Sequence, residues 1–142
     1  MIELGLIMSG DELKPRMKHN DSHKLECDFL NVTIPENNSV MMHTLVGSSL
    51  GIWISHFEGK FVLPMSEEHY HVALRYSYDA YLANPNGSPN GIAALCSADG
   101  RHLAKMPHPE RAIYTWNWAH YTSSCKQDRI TSWIETFVNA TA

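Results

Sequence analysis

An α/β domain is the fold class that this 142-residue sequence predicts, and three features predict it. Apolar and polar residues alternate from Lys24 to Ile34, and a β-branched, aromatic run extends from Gly51 to Leu63, so both stretches read as strands. Asp99-Gly100, between the apolar runs Ile92 to Cys96 and His102 to Met106, reads as the turn of a β-hairpin. Ile130, Trp133, Ile134, Phe137 and Val138 recur at spacings of three and four, which predicts an amphipathic helix over Asp128 to Ala140 packed on the sheet.

In chain order, Met1 to Met8 reads as the end of an amphipathic helix stopped at Ser9-Gly10. No capping residue precedes it, so the chain is expected to begin inside an element. Asp11 to Pro15 is a loop. In the strand at Lys24 to Ile34, Cys27 shares a face with Leu25 and Phe29 and is expected to be a core thiol. Pro35 to Ser39 has turn chemistry, and Val40 to Leu45 reads as a short helical or irregular connection. Gly59 interrupts the strand at Gly51 to Leu63, which predicts a bulge or a close backbone approach. Val72 to Tyr78 is a further strand. Asn84 to Gly91 packs three asparagines, two prolines and two glycines into consecutive turns with left-handed residues, giving a rigid polar loop. Ala112 to Tyr121 is aromatic and irregular.

Composition limits the function classes. With 44% hydrophobic and 18% charged residues the chain can close one core. Its net charge of −4, with only 11 Lys and Arg in no cluster, excludes a phosphate-backbone binder, so no nucleic-acid partner is expected. No apolar run reaches bilayer length and no signal peptide is recognisable, so no membrane partner and a cytoplasmic location are expected. Cys27, Cys96 and Cys125 are widely spaced and fit neither a disulfide framework nor a zinc site, so reduced thiols are expected. His69 and His71 would share a face of a strand, yet spacing fixes no third ligand, so no metal is expected.

The chemistry centres on Met106-Pro107-His108-Pro109-Glu110-Arg111. Flanking prolines exclude interior helix or strand and make a stiff loop presenting an imidazole and a carboxylate. Such a pair suits a general base whose tautomer is fixed by its carboxylate partner, although a rigid turn gives the same letters. Taken with Asn84-Pro85-Asn86-Gly87-Ser88-Pro89-Asn90-Gly91 upstream, and with the hairpin between, this ordered set resembles the C-terminal glutaminase part of the phosphoribosylformylglycinamidine synthase family. Ser55-His56-Phe57-Glu58-Gly59 is similar to a Ser-His-Gly-Glu-Gly stretch of that family, with Phe57 where a glycine is usual.

The resemblance implies a flavodoxin-like class I glutamine amidotransferase domain, present as its C-terminal half, with a mixed sheet, a β-hairpin and a C-terminal helix. His108 would be the base and Glu110 its partner. Ser55, His56 and Phe57 would hold the backbone groups of the substrate glutamine. Residues 1–142 would lack the N-terminal half of the domain and its nucleophilic cysteine turn, so the chain alone is expected to be inactive and to self-associate. The implied partners are glutamine and the remainder of a synthase, namely the first half of the glutaminase domain and the synthetase domains. No cofactor is implied in this chain, whereas the synthetase part would use ATP and Mg. Two other readings stand beside this one: a noncatalytic binding or assembly module that keeps the fold, and an independent thiol hydrolase pairing Cys96 or Cys125 with His108.

Overall fold

The computed structural model describes residues 1–10, 14–121, 124 and 127–142. Residues 11–13 of the loop expected at Asp11 to Pro15, and Cys125, lie outside the described residues. Seven strands are described: β1 (Arg16–His19), β2 (Glu26–Thr33), β3 (Ser49–His56), β4 (Glu58–Val62), β5 (His71–Tyr76), β6 (Ile92–Cys96) and β7 (Leu103–Lys105). They form a five-stranded sheet in the order β3-β2-β5-β6-β7 and a two-stranded sheet of β1 and β4, with antiparallel pairing throughout. Among the described residues one α-helix, α1 (Ile134–Asn139), follows near the C-terminus. The α/β class, the hairpin and the C-terminal helix are those expected. The expected mixed sheet is not found, since every described strand pair is antiparallel, with successive strands joined by turns or loops and not by the crossover helix that parallel pairing usually uses.

Both faces of the large sheet are covered, which explains why β6 is buried over its whole length. One face packs Val32, Met42, Ile52, Ile54, Leu74 and Trp133. The other packs Ile2, Ile7, Phe61, Tyr70, Ile92 and Leu95. The two-stranded sheet and the N-terminal segment thus cap one face, while α1 and its preceding turn close the other.

Several elements depart from expectation. Met1 to Met8 is a series of turns and not a helix: Gly5 takes φ +71°, a left-handed value that ends a right-handed helix after one turn, and Ile2 and Ile7 are buried from there. The run from Gly51 to Leu63 is two strands in two sheets, divided at Phe57. The expected close approach at Gly59 is present, since a β-carbon there would come within 2.2 Å of Asn86 Nδ2. Cys27 is exposed and not a core thiol, because Val32 and its alternates turn inward and the residues at Cys27 and Asn31 face out. Leu25 is exposed with it. His69 ends a 3-10 turn at Glu67–His69 while His71 opens β5, so the two histidines are not neighbours on one strand.

The C-terminal helix starts at Ile134 and not Asp128. Before it, Thr131 N–H donates to the Ile113 carbonyl at 2.7 Å and Thr131 Oγ1 donates to the Ala112 carbonyl at 2.6 Å, tying this stretch to the loop after residue 111 in extended form. Trp133 is fully buried and Nε1 donates to the Gly51 carbonyl at 2.8 Å, which anchors the helix to β3. Ile130 and Val138, expected on the packed face, are half exposed, and Thr136 and Asn139 are buried instead.

Candidate functional site

β7 delivers the chain into Met106 and Pro107, and the prolines then hold His108 and Glu110 at a 3-10 turn, Pro109–Arg111. Pro109 sits at the first turn of that helix, where a missing N–H costs nothing. His108 N–H donates to the Trp53 carbonyl at 2.8 Å, an isolated bridge on the free side of β3. The backbone of the loop is therefore fixed independently of its side chains.

His108 Nδ1 lies 2.6 Å from Glu110 Oε1. An ionised carboxylate only accepts, so the proton sits on Nδ1 and Nε2 is left as the acceptor. Lys105 Nζ donates to Glu110 Oε2 at 3.2 Å and to the Pro107 carbonyl at 3.2 Å, holding the carboxylate from its other side. Burial pushes the Glu110 carboxyl up, but the hydrogen bond from His108, its own backbone amide and the Lys105 ammonium outweigh it and hold the group below the usual glutamate range. A neutral imidazole with one nitrogen clamped by a carboxylate can take a proton at the other, and the carboxylate then stabilises the resulting cation.

His56, at the end of β3, lies beside this pair. Its ring and that of His108 are nearly parallel, with centroids 6.4 Å apart and planes at 28°. Its Nδ1 is 2.9 Å from Asn86 Nδ2, and its Nε2 is buried. Burial, then the neighbouring His108, lower its pKa to about 4, against smaller opposing effects of the Met106 carbonyl and Glu26. Both polar ring atoms thus face protein, so a ligand at this turn would meet backbone groups and not the imidazole. Ser55 is turned to the outer face, where it accepts a hydrogen bond from the Cys27 thiol at 3.0 Å. Phe57 is exposed, with its ring against His19 at 4.8 Å. The described non-glycine residues with positive φ are His23 and Asn90, so phenylalanine occupies position 57 without the left-handed strain that a glycine there would have implied.

Neither described cysteine is placed to pair with His108. Cys96 is buried in β6, its Sγ bonded to Asn38 Oδ1 at 3.1 Å and to the His71 carbonyl at 3.6 Å, and burial pushes its thiol up despite a backbone hydrogen bond. Cys27 opens onto the outer face with Trp53, Ser55, Arg111 and Asn117. Sequence reading missed Lys105, Trp53 and Asn86. Lys105 stands five residues before Glu110 and its spacing carries no signature; Trp53 acts through its carbonyl, which no residue type announces. Asn86 was legible only as turn chemistry, although it is fully buried. Among the described residues no cluster of three metal-ligating side chains occurs, and no helix is long and apolar enough to cross a membrane.

Residues 1–142 match, over their whole length, the family described as CobB/CobQ-like glutamine amidotransferase domain. The chain is 42% identical over 146 residues to a probable chloroplastic/mitochondrial phosphoribosylformylglycinamidine synthase of Arabidopsis thaliana, covering 93% of this chain and 10% of that protein. It is 43% identical over 118 residues to the phosphoribosylformylglycinamidine synthase of Drosophila melanogaster, covering 75% of this chain and 9% of that protein. To that of Homo sapiens it is 33% identical over 136 residues, covering 87% and 10%. Among solved structures, that of PurLQS from Thermotoga maritima matches with a TM-score of 0.68 and 25% identity, over 92% of this chain and 53% of that one. The chain spans about a tenth of the length of these curated relatives.

Proposed function

The chain belongs to the CobB/CobQ-like glutamine amidotransferase domain family, and from that premise we propose that it carries the base and its carboxylate partner for a thiol-dependent glutaminase of a phosphoribosylformylglycinamidine synthase. The observation that supports this reading best is the 2.6 Å contact between His108 Nδ1 and Glu110 Oε1 on a proline-clamped, backbone-anchored loop. His108 Nε2 takes the proton of a cysteine thiol. The thiolate attacks the side-chain amide carbon of glutamine, His108 returns the proton to the departing ammonia, and water then hydrolyses the glutamyl thioester. Glu110 stays ionised and stabilises the imidazolium. The turn at Ser55, His56 and Phe57 offers backbone groups to the glutamine. Of the two described cysteines, Cys96 is buried in β6 and Cys27 is hydrogen-bonded to Ser55, and the thiol is assigned to another part of the synthase, so that this chain by itself releases no ammonia.

The ammonia serves a separate site that converts formylglycinamide ribonucleotide to the amidine in purine biosynthesis. ATP and Mg act there and not in this chain. The partners of the chain are glutamine, the first half of the glutaminase domain and the synthetase domains, in the cytoplasm. The test is His108→Ala in the complete synthase. Glutamine-dependent amidation should be lost while amidation with added ammonium salt persists. If both fall together at unchanged stability, His108 is structural and the reading as a base is dropped.

A further inference from the structure

Behind His108 and Glu110 runs a buried polar chain that the proposed reaction does not use. Asn20 fixes its polarity. The Asn20 side-chain nitrogen donates to the carbonyls of Lys24 at 2.9 Å and His56 at 2.8 Å, and its oxygen accepts the Gly59 N–H at 3.1 Å. These three backbone partners leave only one orientation of the amide. The Asn86 atom lying 2.7 Å from Asn20 Oδ1 must therefore be a donor, the nitrogen, and its oxygen correspondingly accepts from the Tyr76 hydroxyl at 2.6 Å. Burial pushes the Tyr76 hydroxyl up, so it remains a donor. The same Asn86 nitrogen is 2.9 Å from His56 Nδ1, which must then accept. The proton of neutral His56 is confined to Nε2.

Nothing in this chain has room to reorient. Asn20 and Asn86 are fully buried, and only a glycine at 59 leaves space for the Asn86 amide. His56 Nε2 is buried without a hydrogen-bond partner; the Met106 carbonyl favours its charged form yet does not meet hydrogen-bond geometry. The charged and titratable groups that face the ring are His108 from the loop after β7 and Glu26, its cross-strand partner in β2.

We infer that Asn86 is a positioning residue for the proposed base: by donating to His56 Nδ1 it holds His56 as a neutral imidazole stacked beside His108, so that His108 alone becomes positive when it takes up a proton. A second imidazolium 6.4 Å away would oppose that protonation. A donor at Nδ1 removes the option, because the protonated ring would present N–H to N–H. This inference rests on the reading of His108 as base, and its test is separable from that reading.

The first measurement is long-range proton–nitrogen correlation NMR on the histidine-labelled chain, with His56 assigned through His56→Gln. His56 should carry its proton on Nε2 and stay neutral at pH 5 to 8. A proton on Nδ1, or a doubly protonated ring at pH 7, overturns the inference even if the variants fail to fold. Asn86→Asp replaces the donor by an acceptor and should raise the His56 midpoint by at least one pH unit, a tenfold gain in proton affinity; an unmoved midpoint overturns it. In the complete synthase, glutamine hydrolysis by Asn86→Asp relative to wild type should recover as pH rises through that new midpoint. A loss equal at all pH values assigns Asn86 a packing role only and rejects the inference. If instead His108→Ala retains glutamine hydrolysis, the reading as a base fails whatever tautomer His56 shows.

Discussion

Trp53 holds the His108 loop by its carbonyl, at 2.8 Å from the His108 N–H, and the following aromatic segment by its indole, whose Nε1 donates to the Asn117 carbonyl at 2.5 Å. One strand residue thus anchors both ends of the stretch that carries the candidate base. Because these anchors are made to backbone carbonyls or by backbone N–H, the side chains at positions 108 and 110 can be changed without releasing the loop.

Glu110→Gln is therefore expected to separate chemistry from stability. The amide is close to isosteric but does not stabilise an imidazolium, so glutamine hydrolysis by the complete synthase should fall on the order of a hundredfold to ten-thousandfold. Glu110 is half exposed, so unfolding free energy in urea should change by less than about 1 kcal/mol. Unchanged turnover would remove Glu110 from the proposed site.

Gly59→Ala probes the buried amide chain. Its new methyl would meet Asn86 Nδ2 at 2.2 Å and His56 Nδ1 at 2.8 Å, and the Asn86 amide is fully buried and held by Asn20 and Tyr76. Overpacking of this kind costs about 1–3 kcal/mol, so the melting temperature should drop by several degrees. A variant as stable as wild type would mean that the amide chain gives way easily, and with it the fixed tautomer of His56.

How far the sequence announced these features follows from the range of the interactions that decide them. The hairpin at Asp99-Gly100 was legible because the turn is local, with Gly100 at φ +73° as such a turn requires. The His108–Glu110 pair was legible for the same reason, two residues apart between prolines. The division at Phe57 was not, because apolar alternation continues across it and only pairing partners distant in sequence, β2 on one side and β1 on the other, assign the halves to different sheets. Residues Asp128 to Ser132 have a helical pattern that the Thr131 bonds to Ala112 and Ile113 override. Cys27 alternates correctly but on the outward face, a choice that a period of two leaves open. Asn86 meets His56 across thirty residues, beyond any motif.

Glu67 gives a pH prediction. It forms an ion pair with Arg75 and accepts from Asn90 Nδ2 at 2.6 Å, joining β5 to the turn before β6. The Arg75 hydrogen bond, opposed by burial and aided by Asn90, holds its carboxyl below the usual value. A depressed folded value stabilises fully above the unfolded pKa and is lost as pH falls through the folded one. Wild type should therefore exceed Glu67→Gln by about 1 kcal/mol near pH 7, with the gap closing below about pH 4. A gap constant across that range would show that Glu67 acts by packing and not by charge.

The strand edge at β7 favours self-association. In the β6–β7 pair, Met106 N–H donates to Ala93 and Ser97 N–H to His102, so the even-numbered residues 102, 104 and 106 face β6. The backbone groups of Leu103 and Lys105 then point away from it, an edge that a second strand can extend. Exposed Leu4, Tyr78, Leu82 and Trp116 add apolar surface. Purified chain should sediment as concentration-dependent oligomers. Leu103→Pro removes one outward N–H while sparing the β6 ladder, and should shift the equilibrium toward monomer without loss of the cooperative thermal transition. A monodisperse monomer at every concentration, or a proline variant that associates like wild type, would exclude β7 as the contact edge.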